Sequence, residues 1–266
     1  MIYELVPSSP SSAPAASTDK SGAGFAKKID WALLALCCCN AVDAVETLAF
    51  SCILTGYINP GTGTRVDQNP VLSALLTSSV FVGMLVGGLA AGWAADRLGR
   101  KPVLLLCMMG NGASALGSAT ASILEDERQV YWLVGFRFLG GLGVGGSVPC
   151  VFALVAELTA TSSSPMRSST GKRITLLSTC WTFGAVFTSL LAWLVMDSTD
   201  NTRTWPMFFV MCSLPAWLAW ALVWGCVTER TREEVQVVEE ETSRTTTGLI
   251  PLAVVFFVAN FGSYGP

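Results

Sequence analysis

Residues 71–101 read VLSALLTSSVFVGMLVGGLAAGWAADRLGRK. From Val71 to Ala95 no side chain is charged; Asp96, Arg97, Arg100 and Lys101 then crowd together, and from Pro102 to Leu124 the chain is apolar again. At a rise of about 1.5 Å per residue each apolar run is long enough to cross a hydrocarbon core of about 30 Å, and the basic turn between them has to stay in water. The stretch therefore predicts two transmembrane helices joined by a short polar loop.

The same pattern extends in both directions. Apolar runs over 31–57, 130–156, 174–196 and 206–227 bring the number of predicted spans to six. A seventh run begins near Gly248 and reaches Pro266 after about 15 apolar residues, short of the roughly 20 that a spanning helix needs. The expected organisation is a disordered cytosolic tail over 1–29, a six-helix transmembrane bundle over 30–227, a cytosolic linker over 228–247 and a truncated seventh helix over 248–266. The chain is expected to stop before its fold does. Residues 1–28 are rich in Ser, Ala and Pro and carry no apolar stretch, so they do not read as a signal peptide.

Composition narrows the function classes. Hydrophobic residues make up 52% of the chain and charged residues 13%, about half of what a soluble domain carries, so the bilayer is the expected solvent. A net charge of −3 argues against nucleic acid as a partner. Histidine is absent, no cysteine pair has zinc-ligand spacing, and the nine cysteines lie inside or near apolar runs, where they read as buried thiols. Neither a metal, a cofactor nor an enzymatic constellation is expected.

Loop charge fixes the orientation, because Lys and Arg collect on the cytoplasmic side during insertion. With the N-terminus inside, Lys20, Lys27, Lys28, Arg97, Arg100, Lys101, Arg167, Lys172, Arg173, Arg230, Arg232 and Arg244 are cytosolic, and Arg65, Arg128 and Arg203 are outside. The predicted protein is multi-pass, with a cytosolic N-terminus; which membrane holds it is not legible. Pairs of glycines four apart, Gly83/Gly87 and Gly88/Gly92 in the second span and Gly141/Gly145 in the fourth, mark surfaces where helix backbones approach closely.

Three charges lie deep within the spans: Asp43 and Glu46 in the first and Arg137 in the fourth. Each costs several kcal/mol at that depth unless paired or hydrated, which makes it a functional candidate. Asp43 and Glu46 stand three apart and share a helix face. Two carboxylates so close and so desolvated do not both ionise easily, as a reversible proton carrier requires. Asp43 lies roughly 18 Å from the inner surface and Arg137 roughly 10 Å from the outer. The three are expected to meet, or to border one water-accessible chamber, near the midplane. The competing reading is an ion pair that only fixes helix register.

At this point specific motifs carry a resemblance. Gly92-Trp93-Ala94-Ala95-Asp96-Arg97-Leu98-Gly99-Arg100-Lys101 is similar to the G-x-x-A-D-R-x-G-R-K loop of the major facilitator superfamily, at the expected place between the second and third spans. Gly99 permits the tight turn, Asp96 can cap or pair near a helix end, and the three basic residues supply a mobile cationic cluster. Arg137 and the glycines through Gly146 resemble the R-x-x-x-G-x-G-x-G helix of the sugar, organic-acid and synaptic-vesicle-protein-like branch. Asp43 and Glu46 look like a D-x-x-E variant of the D-G-x-D stretch of proton-coupled organic-acid members.

The resemblance implies the N-terminal half of a transporter, an all-α bundle of six helices built as a 3+3 inverted repeat, plus the start of a seventh helix. It gives Arg137, Asp43 and Glu46 substrate and proton coupling, makes Gly92, Asp96, Arg97, Gly99, Arg100 and Lys101 a gating loop that latches to a C-terminal half missing from this chain, and makes Glu157 a further gating candidate. The P-E-S-P-R and G-P-x-x-G-G sequences of sugar porters and drug antiporters are absent, which takes weight from both substrates. The expectation is a proton-coupled secondary transporter of a small polar organic solute, an organic acid or other organic ion rather than a sugar. Its implied partners are that solute, protons and the lipid bilayer. A transport-inactive sensor or scaffold on the same fold is the alternative.

Overall fold

The computed structural model describes residues 20–57, 70–124, 127–160, 170–196 and 201–227. Residues 1–19 of the expected tail, the expected linker over 228–247 and the expected seventh helix over 248–266 lie outside the described residues. Six long helices carry the described chain: α1 Lys20–Tyr57, α2 Pro70–Leu98, α3 Arg100–Thr120, α4 Glu127–Ala160, α5 Thr170–Met196 and α6 Asn201–Cys226, with a 3-10 turn Ala121–Ile123 after α3. All six contain an apolar stretch long enough to cross a membrane. Helix α1 differs from expectation at its start, since residues 20–29, read as tail, are helical. Extending an existing helix costs little once its nucleus has formed in the apolar segment.

The helices alternate in direction. Trp132, Phe136, Gly140, Gly143 and Gly146 of α4 meet Thr120, Gly117, Ser114, Asn111 and Cys107 of α3 in that order, so these two run antiparallel. Gly141 and Gly145 of α4 meet Val80 and Met84 of α2, so those two run parallel. The packing also shows the inverted repeat. α2 packs chiefly on α4 as α5 packs on α1, α3 packs on α4 as α6 packs on α1, and α3 meets α6. Exchanging α1–α3 with α4–α6 maps this set of contacts onto itself, which is what two repeats with a pseudo-two-fold axis require.

Glycine makes the closest of these contacts possible. Gly83 and Gly141 lie with Cα against Cα, and a Cβ on Gly141 would meet the Val80 carbonyl. In lipid no hydrophobic force separates helix from solvent, so close backbone packing of this kind supplies much of the association. Gly184 of α5 sits against the Ala41 carbonyl of α1, in the repeat-related pair of helices. Gly92 has open space around it and takes no part.

Exposed aromatics mark the two interfaces. Trp31, Trp93 and Trp224 lie near the end that carries Gly99, and Tyr131, Trp132 and Trp193 near the other. Amphipathic rings prefer the headgroup level, so these belts bracket the slab that the apolar surface occupies.

Inside, two apolar clusters are stacked along the bundle axis. One contains Leu36, Leu104, Met108, Val151, Leu177 and Val223; the other contains Val45, Leu76, Val130, Trp205, Phe208 and Phe209. Between them, at mid-height, lies a layer of buried polar side chains: Asn40, Asp43, Glu46, Asn111, Ser114, Arg137 and Ser147.

Candidate functional site

The polar layer is where the three intramembrane charges come together. α1 supplies Asp43 and Glu46 and α4 supplies Arg137, so the charges sit on the first helix of each repeat, facing across the pseudo-two-fold axis. Arg137 Nη1 donates to the Glu46 main-chain carbonyl at 3.0 Å and lies 3.9 Å from Glu46 Oε1. Its guanidinium also lies over the Phe209 ring of α6 at 5.0 Å, a cation–π geometry. Ser114 of α3 donates to Glu46 Oε1 at 2.6 Å.

Asp43 has different neighbours. Asn111 Nδ2 donates to its Oδ1 at 3.1 Å and Ser147 Oγ to its Oδ2 at 2.7 Å. The sequence brought Arg137 to both carboxylates; in the structure it pairs with Glu46, one helical turn from Asp43. The expected water-accessible chamber also differs. Asp43, Glu46 and Arg137 retain 0, 4 and 1% of their surface, so helix packing seals the cluster. An Arg–Glu pair in so dry a place is strong by Coulomb attraction and costly by desolvation, and hydrogen bonds from main chain and serine are what hold it.

Sequence reasoning missed Asn111, Ser114 and Ser147. Asn111 and Ser114 stand three apart on α3, the same spacing as Asp43 and Glu46 on α1, and each meets one of those acids. That matched spacing was the available signal. A lone serine such as Ser147 is too common in membrane helices to stand out.

A second constellation lies at the end of the bundle that carries Gly99. Gly99 is the only residue between α2 and α3 and has φ 97°, a left-handed conformation that glycine adopts without Cβ strain. This one-residue turn places Arg100 at the start of α3, where it forms an ion pair with Glu157 near the end of α4. The loop and Glu157, which the sequence offered as separate gating candidates, thus meet in one contact. Lys101 Nζ donates to the Trp224 carbonyl at 3.3 Å, placing a cation at the C-terminus of α6, where the helix dipole favours it. Arg97 lies over the Trp93 ring at 4.0 Å. The cationic cluster expected to be mobile is therefore tied at all three residues. Asp96 remains exposed, and α3 starts without a side-chain cap. Gly92 is half-buried on α2.

These motifs agree with what the chain is similar to. The profile of the family described as "Sugar (and other) transporter" matches residues 40–231. Human synaptic vesicle glycoprotein 2C is 31% identical over 199 residues, covering 71% of this chain and 25% of that protein. Rat synaptic vesicle glycoprotein 2A is 28% identical over 184 residues, covering 65% and 22%. The chain thus spans about a quarter of the curated relatives it matches. Among solved structures, the major facilitator superfamily proton:xylose symporter XylE bound to 6-bromo-6-deoxy-D-glucose superimposes with a TM-score of 0.63 at 20% identity, over 75% of this chain and 45% of XylE. The superposition on XylE shows a shared fold, and with a family profile covering most of its length the chain belongs to the sugar (and other) transporter family.

Proposed function

We propose that the chain is the N-terminal half of a secondary active transporter that moves a small polar organic solute across a membrane by alternating access, coupled to protons. The N-terminus is cytosolic, and the solute is an organic ion in preference to a sugar. The observation that carries the reading is the gathering of Asp43, Glu46 and Arg137 at mid-height between the repeat-related helices α1 and α4. Charge at that depth is costly, and a bundle that needed only shape would use apolar residues there. The solved neighbour XylE is a proton:xylose symporter, which supports proton coupling in this architecture.

Uptake of a labelled panel of organic acids, organic cations and sugars into proteoliposomes, with and without a pH gradient, tests the proposal. Accumulation of one class driven by the gradient is expected; binding without accumulation would favour the alternative of a transport-inactive sensor, which the complete burial of the charge cluster also suits. Asp43→Asn is expected to lower gradient-driven uptake by about two orders of magnitude, in the range typical for removal of a proton-transfer group, with membrane insertion unchanged. Normal uptake by that variant would remove Asp43 from the role of proton carrier.

Arg100, Lys101 and Gly99 form the gate at the cytosolic end in this reading, with Glu157 as the counter-ion. Arg100→Ala leaves the mid-height cluster intact while separating the start of α3 from the end of α4. The rate of solute exchange is expected to fall about tenfold while the affinity of the binding step changes less than twofold, the signature of a lost conformational step. Equal losses in rate and affinity would count against a gating role.

A further inference from the structure

The hydrogen bonds around Asp43 do not all close while its carboxylate is charged. Ser147 Oγ lies 2.7 Å from Asp43 Oδ2 and 2.9 Å from the carbonyl of Val144 on its own helix. A hydroxyl has one proton, so it donates to one of these oxygens and meets the other as lone pair against lone pair. A main-chain carbonyl cannot change that; a carboxyl can, by carrying a proton itself.

Asn111 poses the matching problem. Its Nδ2 donates to Asp43 Oδ1, while its own Oδ1, on a fully buried side chain, has no hydrogen-bond partner. That oxygen lies against Gly143, in a space it shares with the Cys107 carbonyl. The nitrogen and oxygen of an amide have nearly the same shape, so a half-turn of the group exchanges them without moving a helix. After the half-turn the oxygen points at Asp43 and the NH2 toward the side where the Cys107 carbonyl lies. The amide oxygen then has a partner only if Asp43 holds a proton to give.

We propose that Asn111 and Ser147 are positioning residues that hold Asp43 in both protonation states. Toward the carboxylate, both donate. Toward the neutral acid, each can turn and accept: a proton arriving from water forms an O–H bond on one carboxylate oxygen, that O–H donates to the amide oxygen or to Ser147 Oγ, and the serine proton turns to Val144. The proton leaves by the reverse path, and no other bond changes. This rests on the reading of Asp43 as the proton carrier.

Among the described residues, the titratable groups facing Asp43 and Glu46 are Cys39 on α1, Cys107 on α3, Arg137 on α4 and Cys212 on α6. Cysteine thiols are neutral in their ordinary range near pH 7, and Arg137 bonds to Glu46. Asp43 has no basic side chain bonded to it among the described residues; its donors are Asn111 and Ser147.

The test combines pH-dependent uptake with infrared spectroscopy of the protein reconstituted in liposomes. Ser147→Ala and Asn111→Leu each remove a donor to the charged carboxylate while leaving the neutral acid less affected. Each should therefore displace the pH profile of uptake upward by about one unit, the size expected for one hydrogen bond to a charged group. Ser147→Cys, with a weak donor of similar shape, should fall between Ser147→Ala and the parent protein. The carboxylic-acid band that disappears in Asp43→Asn should change frequency in both variants.

If that band is present but stays fixed, and both profiles stay in place, the cradle is wrong while the proton carrier stands. If no such band exists at any pH and uptake ignores pH, the carrier reading fails and takes the cradle with it. Should either variant fail to insert, parent protein isotope-labelled in its asparagine side chains decides the matter. An amide band must change in step with the Asp43 carboxyl band on acidification, and an amide band that stays constant overturns the proposal.

Discussion

Arg137→Met is expected to destabilise the bundle by about 3–5 kcal/mol, the usual consequence of leaving a buried partner charge uncompensated. Glu46 is 4% exposed, and no water can replace the guanidinium without opening the packing around α1 and α4. The neutral donor Ser114 does not substitute for a cation at Glu46, because it also serves the Phe136 carbonyl. Arg137→Met combined with Glu46→Gln should recover most of the loss, since the pair is then replaced by neutral groups of similar volume and the desolvation cost disappears with the charges. Thermal unfolding in detergent, followed by tryptophan fluorescence, measures both. Additive losses in the double variant would show that the two side chains do not act as a pair. The experiment separates structure from transport, because a stable double variant that no longer moves solute would assign the pair to function.

The second large effect is expected at Gly141. A valine there places a Cβ against the Val80 carbonyl and crowds the Gly83 Cα, so α2 and α4 have to separate. Backbone atoms cannot turn away as a flexible side chain can, which puts the cost at the top of the roughly 1–3 kcal/mol range for overpacking, or above it. Gly141→Val should sharply reduce the folded fraction recovered from membranes. Gly92→Ala is the control. Nothing lies within 4 Å of the position its Cβ would take, and alanine is the better helix former, so it should be neutral or slightly stabilising. Similar behaviour of the two variants would mean that the glycine spacing, and not the contact, is what matters.

These variants illustrate which parts of the molecule could be read in advance. The six spans were legible because a predominantly apolar run of twenty or more residues has few other physical readings. The depth of Asp43, Glu46 and Arg137 was legible too, since rise per residue and topology place charges along the bilayer normal. Their rotation about each helix axis was not. Whether Arg137 meets Glu46 or Asp43 depends on how α1 and α4 are turned toward one another, which the glycine contacts with α2 and α5 decide. The glycine pairs announced close packing without naming the partner, and Gly92, with the right spacing, turned out to face open space. Ser147 was illegible for another reason: a lone serine is tolerated in a membrane helix at little cost, so its presence carries no alarm, whereas Asn111 was marked only by its spacing from Ser114. Arg100 and Glu157 were read from separate motifs, and only the fold joined them.

The interleaved packing of the two repeats bears on how the chain is made. α2 finds its main neighbour in α4, and α1 in α5 and α6, so neither triplet of helices contains its own partners. As synthesis proceeds from the N-terminus, α1 delivers two acidic side chains into the bilayer before the guanidinium that balances Glu46 has left the ribosome. The first three segments must wait, shielded by the insertion machinery or by protonation, until the fourth arrives. Assembly of this protein is therefore a late event, and a nascent chain stalled after α3 carries an acidic helix that lipid alone cannot accommodate.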